Sequence, residues 1–280
     1  MHLSNLHTHT DYCDGTCSAE EMVKSAVQAG FHSIGISTHG PVTFETDWNI
    51  KHKNIEKYID EILLLKEKYR NIIEIYLGME LDYLPRKGFD KSLELLIKRL
   101  DYYIGSVHFL GELSDGTKWT VDYNLKEIQS GIKDSFGGST RLAVETYFSM
   151  LAEMAEMYEP PIIGHFDLIK KLNKNNILFD EKSDWYIKSV VKCLDVIKNT
   201  ESVVEINTGG IIRGYTEEQY PSTFILKLIR ERGIPVTVSS DAHSKEAISG
   251  KFTEMYSLIK SIGFKNIRHL TKNGWVEKEI

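Results

Sequence analysis

The chain has 280 residues, of which 41% are hydrophobic and 26% are charged, the composition of a folded globular protein rather than of a disordered or fibrous one. Its formal net charge of -6 disfavours broad attraction to nucleic acid or to an anionic membrane. The segment MHLSNLHTHTDYCDG has no basic region followed by an apolar run, and no apolar stretch approaches the roughly 20 residues that span a bilayer. We therefore expect a cytoplasmic protein that acts on a small molecule and binds neither nucleic acid nor a membrane.

Short apolar runs rich in β-branched residues alternate with amphipathic segments along the chain. The predicted strands are residues 3–6, 33–37, 73–79, 103–107, 162–164, 203–206 and 236–239. The predicted helices are residues 19–29, 55–69, 140–157, 185–198 and 223–232. Gly30 and Gly233 are predicted to cap the first and last of these helices at their carboxyl ends.

Repeated βα units with short buried strands predict a parallel sheet. Seven such units favour closure of the sheet into a barrel, and an open doubly wound sheet is the alternative. No repeat, low-complexity tract or linker divides the chain, so residues 1–280 are predicted to form a single domain. In either architecture, functional side chains are expected just past the carboxyl ends of the strands.

Side chains able to bind a metal stand at the end of every predicted strand. They are His7 and His9, His39, Glu80, His108, His165, Glu205 with Asn207, and Asp241 with His243. A single strand-end histidine is best explained as a buried residue that is hydrogen-bonded to the backbone. Burying so many imidazoles and carboxylates together is costly without a counter-charge, and mixed nitrogen and oxygen ligands suit Zn, Mn or Fe. The joint pattern therefore predicts a cluster of metal ions.

The remaining histidines and the cysteines are expected to have no part in this cluster. The histidines outside the strand ends are His2, His32, His52 and His269. The three cysteines, Cys13, Cys17 and Cys193, do not form the even set of a disulfide framework, which favours a reducing compartment. Cys13 and Cys17 lie four residues apart, but no second close pair completes a tetrahedral structural site, so a cysteine metal site is the weaker alternative.

Seven motifs span nearly the whole chain: HTHTDYCDG, ISTHG, GMELDY, GSVHF, GHFDLIKK, EINTGGIIRG and SSDAH. In this order they resemble the PHP phosphoesterases, the polymerase and histidinol phosphatase family, and within it the stand-alone histidinol-phosphatases. The resemblance implies a distorted TIM-like (β/α)7 barrel and a centre of two or three divalent transition metal ions.

The resemblance also implies how the ligands divide among the ions. The first ion would be held by His7, His9, Glu80 and Asp241. The second would be held by Glu80, His108 and His165, so that Glu80 bridges the two. The third would be held by Asp14, His39 and His243. The chain departs from many relatives at this third site, where Asp14 stands in place of a histidine and Thr38 in place of an acidic residue.

The activity implied by the resemblance is hydrolysis of L-histidinol phosphate to L-histidinol and phosphate, a step of histidine biosynthesis. A hydroxide that bridges metal ions would attack phosphorus, with Glu80, Asp241 and His243 as catalytic residues. Arg213 is predicted to contact the phosphate, because guanidinium matches phosphate oxygens, with a solvated surface arginine as the alternative.

A second hypothesis changes the substrate to a nucleotide, a phosphotyrosine or another phosphomonoester. A third is a non-catalytic PHP module that stabilises a DNA polymerase or binds nucleic acid.

The sequence also supports predictions for two further pairs of residues. Glu205 and Asn207 are predicted either to orient metal ligands or only to tie down their loop. Lys170 and Lys171 are predicted to form the solvated start of a helix. The sequence leaves the oligomeric state open.

Overall fold

The structure of the protein is a computed structural model that describes residues 3–280. Parallel strands form two sheets. The first contains, side by side, β1 (Ser4–Asn5), β2 (Ser33–Ile36) and β3 (Glu74–Leu77). The second contains, in this spatial order, β4 (Glu80–Asp82), β5 (Ile104–Ser106), β8 (Ile162–Ile163), β9 (Val203–Asn207) and β10 (Val236–Ser239). Neighbouring strands are parallel in both sheets, so the predicted α/β fold with parallel strands is confirmed.

Two antiparallel hairpins interrupt the predicted alternation of strand and helix. The first consists of β6 (Phe109–Glu112) and β7 (Lys118–Thr120), and it lies in the chain between β5 and β8. The second consists of β11 (Asn266–Thr271) and β12 (Gly274–Glu279). Leu270 of the second hairpin packs with buried residues of β5 and β8, Ile104 and Ile162. The expectation of β-α order throughout is therefore wrong at these two places.

Helices connect most of the strands. In the described part of the chain they are α1 (Ala19–Gln28), α2 (Ile55–Lys68), α3 (Glu94–Ile97), α4 (Leu125–Phe136), α5 (Thr140–Tyr158), α6 (Asp184–Ile197), α7 (Gly209–Ile212), α8 (Thr223–Arg232) and α9 (Phe252–Ile262). The five predicted helices correspond to α1, α2, α5, α6 and α8, with ends shifted by at most one residue. Gly30 and Gly233 have positive φ angles of 77° and 67° just after α1 and α8, as the capping prediction requires.

The sequence patterns did not predict α4, although a local signal was present. Asn124 precedes the helix and its side chain accepts a hydrogen bond from the amide of Glu127, which is the usual role of an N-cap residue. Of the helices between residues 3 and 280, none is both long and apolar enough to cross a membrane.

Buried apolar faces of the helices build the core around the sheets. On α1, Met22, Val23 and Ala26 are completely buried, and on α5 the ring of Phe148 meets that of Tyr186 from α6 edge to face. Burial of each large apolar side chain contributes roughly 1.5–3 kcal/mol to folding. This packing holds the carboxyl ends of the strands at fixed positions, where the functional side chains follow.

The third predicted strand, residues 73–79, corresponds to β3, which spans Glu74–Leu77 and ends before Gly78 in the structure. Glu80 therefore opens β4 in the second sheet instead of following β3. At Gly78 the chain passes the buried ring of Tyr102 so closely that a Cβ would lie 2.4 Å from Cζ of the ring. Any larger residue would collide with this ring. The predicted end at residue 79 lies two residues beyond the observed end of β3, because hydrophobic pattern alone does not reveal this close passage.

The two sheets approach each other through predicted ligands and their neighbours in the chain. Thr8 pairs with Ala242 in parallel fashion, and the amide of His9 donates to the carbonyl of Ala242 at 2.8 Å. On the other side His39 pairs with Glu80, in a bridge of the same parallel type. Backbone hydrogen bonds thus fix the relative positions of loops that are distant in sequence.

Candidate metal centre

The nine predicted metal ligands lie together at the carboxyl-end side of the parallel strands. They are His7, His9 and Asp14 after β1, His39 after β2, Glu80 at the start of β4, His108 after β5, His165 after β8, and Asp241 and His243 after β10. Seven of them are buried. Asp14 and His243 reach the surface, with 35% and 22% of their side-chain area exposed. The structure therefore brings together every residue of the predicted set.

The carboxylate of Glu80 lies in the middle of the centre. Its Oε1 atom is 2.8 Å from Nε2 of His165 and accepts a hydrogen bond from the hydroxyl of Ser106 at 2.7 Å. Its Oε2 atom is 3.1 Å from Nε2 of His7 and 3.0 Å from Nδ1 of His39. Burial raises the pKa of Glu80, but the positive charge of the surrounding imidazoles outweighs burial and holds this pKa well below its usual value. The group is thus an ionised carboxylate with both oxygens available to cations.

Asp241 is the second buried carboxylate of the centre. Its Oδ1 atom lies 3.2 Å from Nε2 of His9 and 3.7 Å from Nε2 of His7. Its backbone has a positive φ of 50°, a strained conformation for a residue with a side chain, of the kind that concentrates at functional sites. Burial raises the pKa of Asp241, but Arg213 and His7 lower it more, so the net pKa lies well below the usual range. This residue also enters the site as an anion.

Two of the histidines are oriented from behind by carboxylates. Nδ1 of His7 is 2.6 Å from Oε1 of Glu205, and Nδ1 of His108 is 2.7 Å from Oδ1 of Asp82. Burial lowers the pKa of both imidazoles, but the nearby carboxylates raise it more, in His108 to about 10. A carboxylate on the far nitrogen fixes the ring orientation and the tautomer of a metal-binding histidine. Glu80 contributes to both shifts.

Glu205 makes further hydrogen bonds within the site. Asp82, in contrast, was not among the residues predicted from the sequence. Oε2 of Glu205 accepts hydrogen bonds from the backbone amide of His165 at 2.8 Å and from Nδ2 of Asn207 at 3.0 Å. Of the two roles considered for Glu205 and Asn207, this geometry favours orientation of ligands. The motif GMELDY, in which Asp82 stands two residues after Glu80, held the missed signal, because alternate residues of a strand share a face.

Donor atoms close enough to share an ion form three groups among residues 3–280. The atoms of each group lie within 4.8 Å of one another. The groups are His7, His9 and Asp241; His39, Glu80 and His108; and His9, Asp14, His39 and His243. They are similar to the three ligand sets that the resemblance implied, with three differences: Glu80 is absent from the first group, His39 takes the place of His165 in the second, and His9 joins the third. The assignment of ligands to individual ions stays a prediction.

The donor set fits divalent transition metal ions. The buried atoms Nε2 of His9 and Nδ1 of His39 make no hydrogen bond to any described residue, although carboxylate oxygens lie 3.2 Å and 3.0 Å away. Burial and the positive charge of His243 and His39 lower the pKa of His9 to about 3, so its imidazole is neutral and keeps a lone pair. The site thus offers a neutral imidazole at His9 beside ionised carboxylates, and such mixed nitrogen and oxygen donors suit Zn, Mn or Fe.

Arg213 lies at the edge of the centre. Its Nη2 atom is 3.0 Å from Oδ2 of Asp241, and its Nη1 atom is 3.0 Å from the backbone carbonyl of the same residue and 2.7 Å from Nδ1 of His243. Arg213 is thus an exposed residue that is paired with the ligand cluster, and the alternative of a solvated surface arginine stays open. Contact of Arg213 with a phosphate stays a prediction.

The prediction that Lys170 and Lys171 form a solvated helix start is wrong. Lys170 ends a short 3-10 turn, and its buried Nζ atom lies 3.2 Å from Oδ2 of Asp167 and 2.8 Å from Oε1 of Glu218. Nζ of Lys171 lies 2.9 Å from Oδ2 of Asp122. The three carboxylates offset the cost of burying the lysines. Glu218 and Asp122 come from segments distant in sequence, so the local sequence could not reveal these two partners.

The cysteines and the other histidines lie outside the three donor groups of the described residues. All three cysteines are free; Cys17 is buried in the core, and Sγ of Cys13 lies 3.5 Å from Nδ1 of His9. Nδ1 of His32 accepts from the amide of Leu3. His2 lies outside the described residues, and His52 and His269 belong to a 3-10 turn and to β11.

The centre opens into a cavity of about 880 Å³. Its floor contains ligands such as Glu80, His108 and Asp241, and Arg213 lines the wall. The loop that contains Trp48 and the β6–β7 hairpin complete the walls. A cavity of this size accommodates a small-molecule ester next to the ligand cluster.

The chain is similar to proteins of a known family. The PHP domain family model matches residues 5–209. A histidinol-phosphatase of Bacillus subtilis (strain 168) is 29% identical over 258 residues, which cover 85% of this chain and 92% of that protein.

Two solved structures are similar over nearly the whole chain. HisK of Listeria monocytogenes, assigned as a histidinol phosphatase, has a TM-score of 0.80 at 25% identity, with 91% of this chain and 100% of that chain covered. The histidinol phosphate phosphatase of Lactococcus lactis subsp. lactis Il1403, in complex with zinc, L-histidinol and phosphate, has a TM-score of 0.71 at 19% identity, with 98% of both chains covered. With the family model matching most of its length, the chain belongs to the PHP domain family.

Proposed function

We propose that the protein is a metal-dependent phosphomonoesterase that hydrolyses L-histidinol phosphate to L-histidinol and phosphate. The observation that carries this proposal is the ligand cluster itself, which gathers six imidazoles and three carboxylates beside one cavity. The histidinol-phosphatase of Bacillus subtilis, which matches 85% of this chain, supports the choice of substrate.

The residues of the centre would hold two or three divalent ions, with zinc favoured by the complex of the Lactococcus lactis relative. His7, His9 and Asp241 would hold one ion, Glu80 would lie between ions, and Asp14 with His243 would contribute to the most exposed position. When bound, such ions supply positive charge that lowers the pKa of water and stabilises charge on phosphoryl oxygens.

The protein's own residues prepare this chemistry in three ways. Glu205 and Asp82 hold the rings of His7 and His108 in fixed orientations. Arg213 holds Asp241 in place and puts its guanidinium group on the cavity wall. A bound phosphate would accept hydrogen bonds from this guanidinium in place of some of those that Asp241 accepts. The catalytic assignment of Glu80, Asp241 and His243 is part of the same proposal.

A kinetic comparison tests the proposed substrate. The purified, metal-loaded protein is assayed with L-histidinol phosphate and with a panel that includes AMP, phosphotyrosine and p-nitrophenyl phosphate. We expect the highest kcat/KM with L-histidinol phosphate. A preference of about tenfold or more for another ester would contradict the substrate assignment. Absence of phosphate release from every ester in the panel would contradict the enzymatic function.

We further propose that the two parallel sheets form a distorted (β/α)7 barrel and that residues 1–280 act as a single domain. Two facts support this proposal: the backbone bridges of Thr8 with Ala242 and of His39 with Glu80, and an apolar core cluster that includes residues from Cys17 to Ile267. The cytoplasmic location expected from the sequence stays a prediction.

A further inference from the structure

Aromatic rings form one wall of the cavity directly beside the metal centre. The ring of Trp48 lies 4.7 Å from that of His39 and 5.4 Å from that of His108, measured between ring centroids. The same indole stacks on Phe109 at 5.4 Å. An ester whose phosphate lies at the ligand cluster would therefore place its alcohol portion near flat apolar surfaces, which suit an aromatic ring.

An acidic side chain, Asp122, lines the same cavity. It follows β7 and is held near His108, because the amide of Val121 donates to the carbonyl of His108 at 2.9 Å. Its Oδ2 atom accepts a hydrogen bond from Nζ of Lys171 at 2.9 Å, and this Nζ also lies 4.7 Å from the centre of the Tyr215 ring. The carboxylate is thus fixed in position by groups outside the ligand cluster.

The charge of Asp122 is maintained by its surroundings. Burial raises the pKa of its carboxyl, but the positive charge of Lys171 and His108 lowers it more, so the group is ionised at neutral pH. The hydrogen bond from Lys171 occupies one of the oxygens, and a carboxylate has about four lone-pair sites. A second cation can therefore share the carboxylate with Lys171.

We propose that Asp122 is a specificity-determining residue, whose carboxylate binds the ammonium group of an amino-alcohol phosphomonoester while the ring of that ester lies against Trp48. The inference rests on the proposed phosphatase function and specifies its substrate class. L-Histidinol phosphate belongs to this class, since it has an ammonium group and a flat imidazole. Nucleotides and simple aryl phosphates lack the ammonium group and would gain nothing from Asp122.

The test compares two esters that differ only in the amine. L-Histidinol phosphate and its deamino analogue, 3-(imidazol-4-yl)propyl phosphate, are assayed with the metal-loaded full chain and with Asp122→Asn. We expect the wild-type kcat/KM to favour the amine by roughly 10- to 100-fold, the range of a hydrogen bond to a charged group. Asp122→Asn should lose most of this preference through a higher KM for L-histidinol phosphate, with the deamino ester nearly unaffected.

Lys171→Gln is the matched control, because it removes the partner of Asp122 and leaves the carboxylate. The preference for the amine should persist or increase in this variant. Equal loss of activity on both esters in Asp122→Asn would show that Asp122 only holds the cavity wall and would overturn the inference. A wild-type protein that hydrolyses both esters equally would overturn it without any variant and leave the phosphatase function standing. If the wild type hydrolyses neither ester, the proposed function fails, and this inference fails with it.

Discussion

Glu80 is the residue on which the centre depends most, because both of its oxygens face imidazoles from different loops. Its neighbours His7, His39 and His165 follow three separate strands, so the Glu80 side chain joins parts of the site that are distant in sequence. A neutral side chain of the same shape would remove the charge and keep the packing. The effect of such a change therefore measures the electrostatic role alone.

We predict that Glu80→Gln loses both bound metal and turnover. The amide cannot offer two anionic oxygens to metal ions. Losing a group that only hydrogen-bonds to a metal ligand typically costs roughly 10- to 100-fold in metal affinity, and the loss in Glu80→Gln should exceed this range. Metal content by mass spectrometry and kcat/KM for L-histidinol phosphate measure the two effects. Glu67→Gln is the control, since 69% of that side chain is exposed. Full metal content and activity in Glu80→Gln would refute a bridging role.

Glu205 acts on the centre through His7 and the backbone of His165 rather than by facing the cavity. We predict that Glu205→Gln retains the fold but weakens metal binding by roughly 10- to 100-fold, because the ring of His7 loses its charged orienting partner. Metal titration measures the affinity, and circular dichroism checks that the variant is folded. Glu201→Gln, at a side chain 88% exposed, should leave affinity unchanged. Unaltered affinity in Glu205→Gln would mean that the carboxylate only ties down its loop.

At the scale of elements, the β6–β7 hairpin and α4 form the part of the cavity wall that carries Asp122. Gly131 of α4 lies against the buried indole of Trp119 in β7, so closely that a Cβ would be 2.1 Å from Cδ2 of the ring. Trp119 also donates through Nε1 to the hydroxyl of Ser135 at 3.0 Å. The helix can approach the hairpin at this distance only because residue 131 has no side chain.

We predict that Gly131→Ala destabilises the protein, although alanine favours a helix over glycine by about 1 kcal/mol. Overpacking against Trp119 should cost roughly 1–3 kcal/mol and outweigh that gain. Urea denaturation gives the free energy of unfolding. Gln129→Ala, at an exposed position of the same helix, serves as the control and should change it by less than about 0.5 kcal/mol. A Gly131→Ala variant more stable than the wild type would contradict the observed contact.

At the scale of the whole molecule, ion pairs link loops that are distant in sequence. Lys170, next to the turn after β8, is paired with Glu218 from the segment between α7 and α8. Burial raises the pKa of Glu218, but Lys170 lowers it more, so the net pKa lies below the usual 4.5. A carboxyl group whose pKa is lower in the folded than in the unfolded protein stabilises the folded state at pH values above its unfolded-state pKa. This stabilisation is lost as the pH falls towards the folded-state pKa.

We therefore predict that Glu218→Gln reduces stability at neutral pH and flattens the loss of stability below pH 4.5, the ordinary pKa of this carboxyl. Thermal unfolding of both proteins between neutral and acidic pH gives the comparison. Asp167, whose pKa is raised, has the opposite effect on the pH dependence of stability. Because Asp167 is present in the wild type and in Glu218→Gln, this effect is largely the same in both proteins. Identical pH profiles would show that the pair with Lys170 contributes nothing to stability.

The sequence alone determined the α/β class and the five main helices within one residue of their ends, and it predicted that histidines and carboxylates at the strand ends lie together. It could do so because hydrophobic periodicity and the spacing of motifs such as HTH and SSDAH are local properties of the chain. Only the tertiary structure decided that Glu80 opens a strand of the second sheet, that Asp82 orients His108, and that Lys170 is buried. Each of these features joins segments that are far apart in sequence. Packing such as that of Gly78 against Tyr102 sets their geometry, and no local pattern records it.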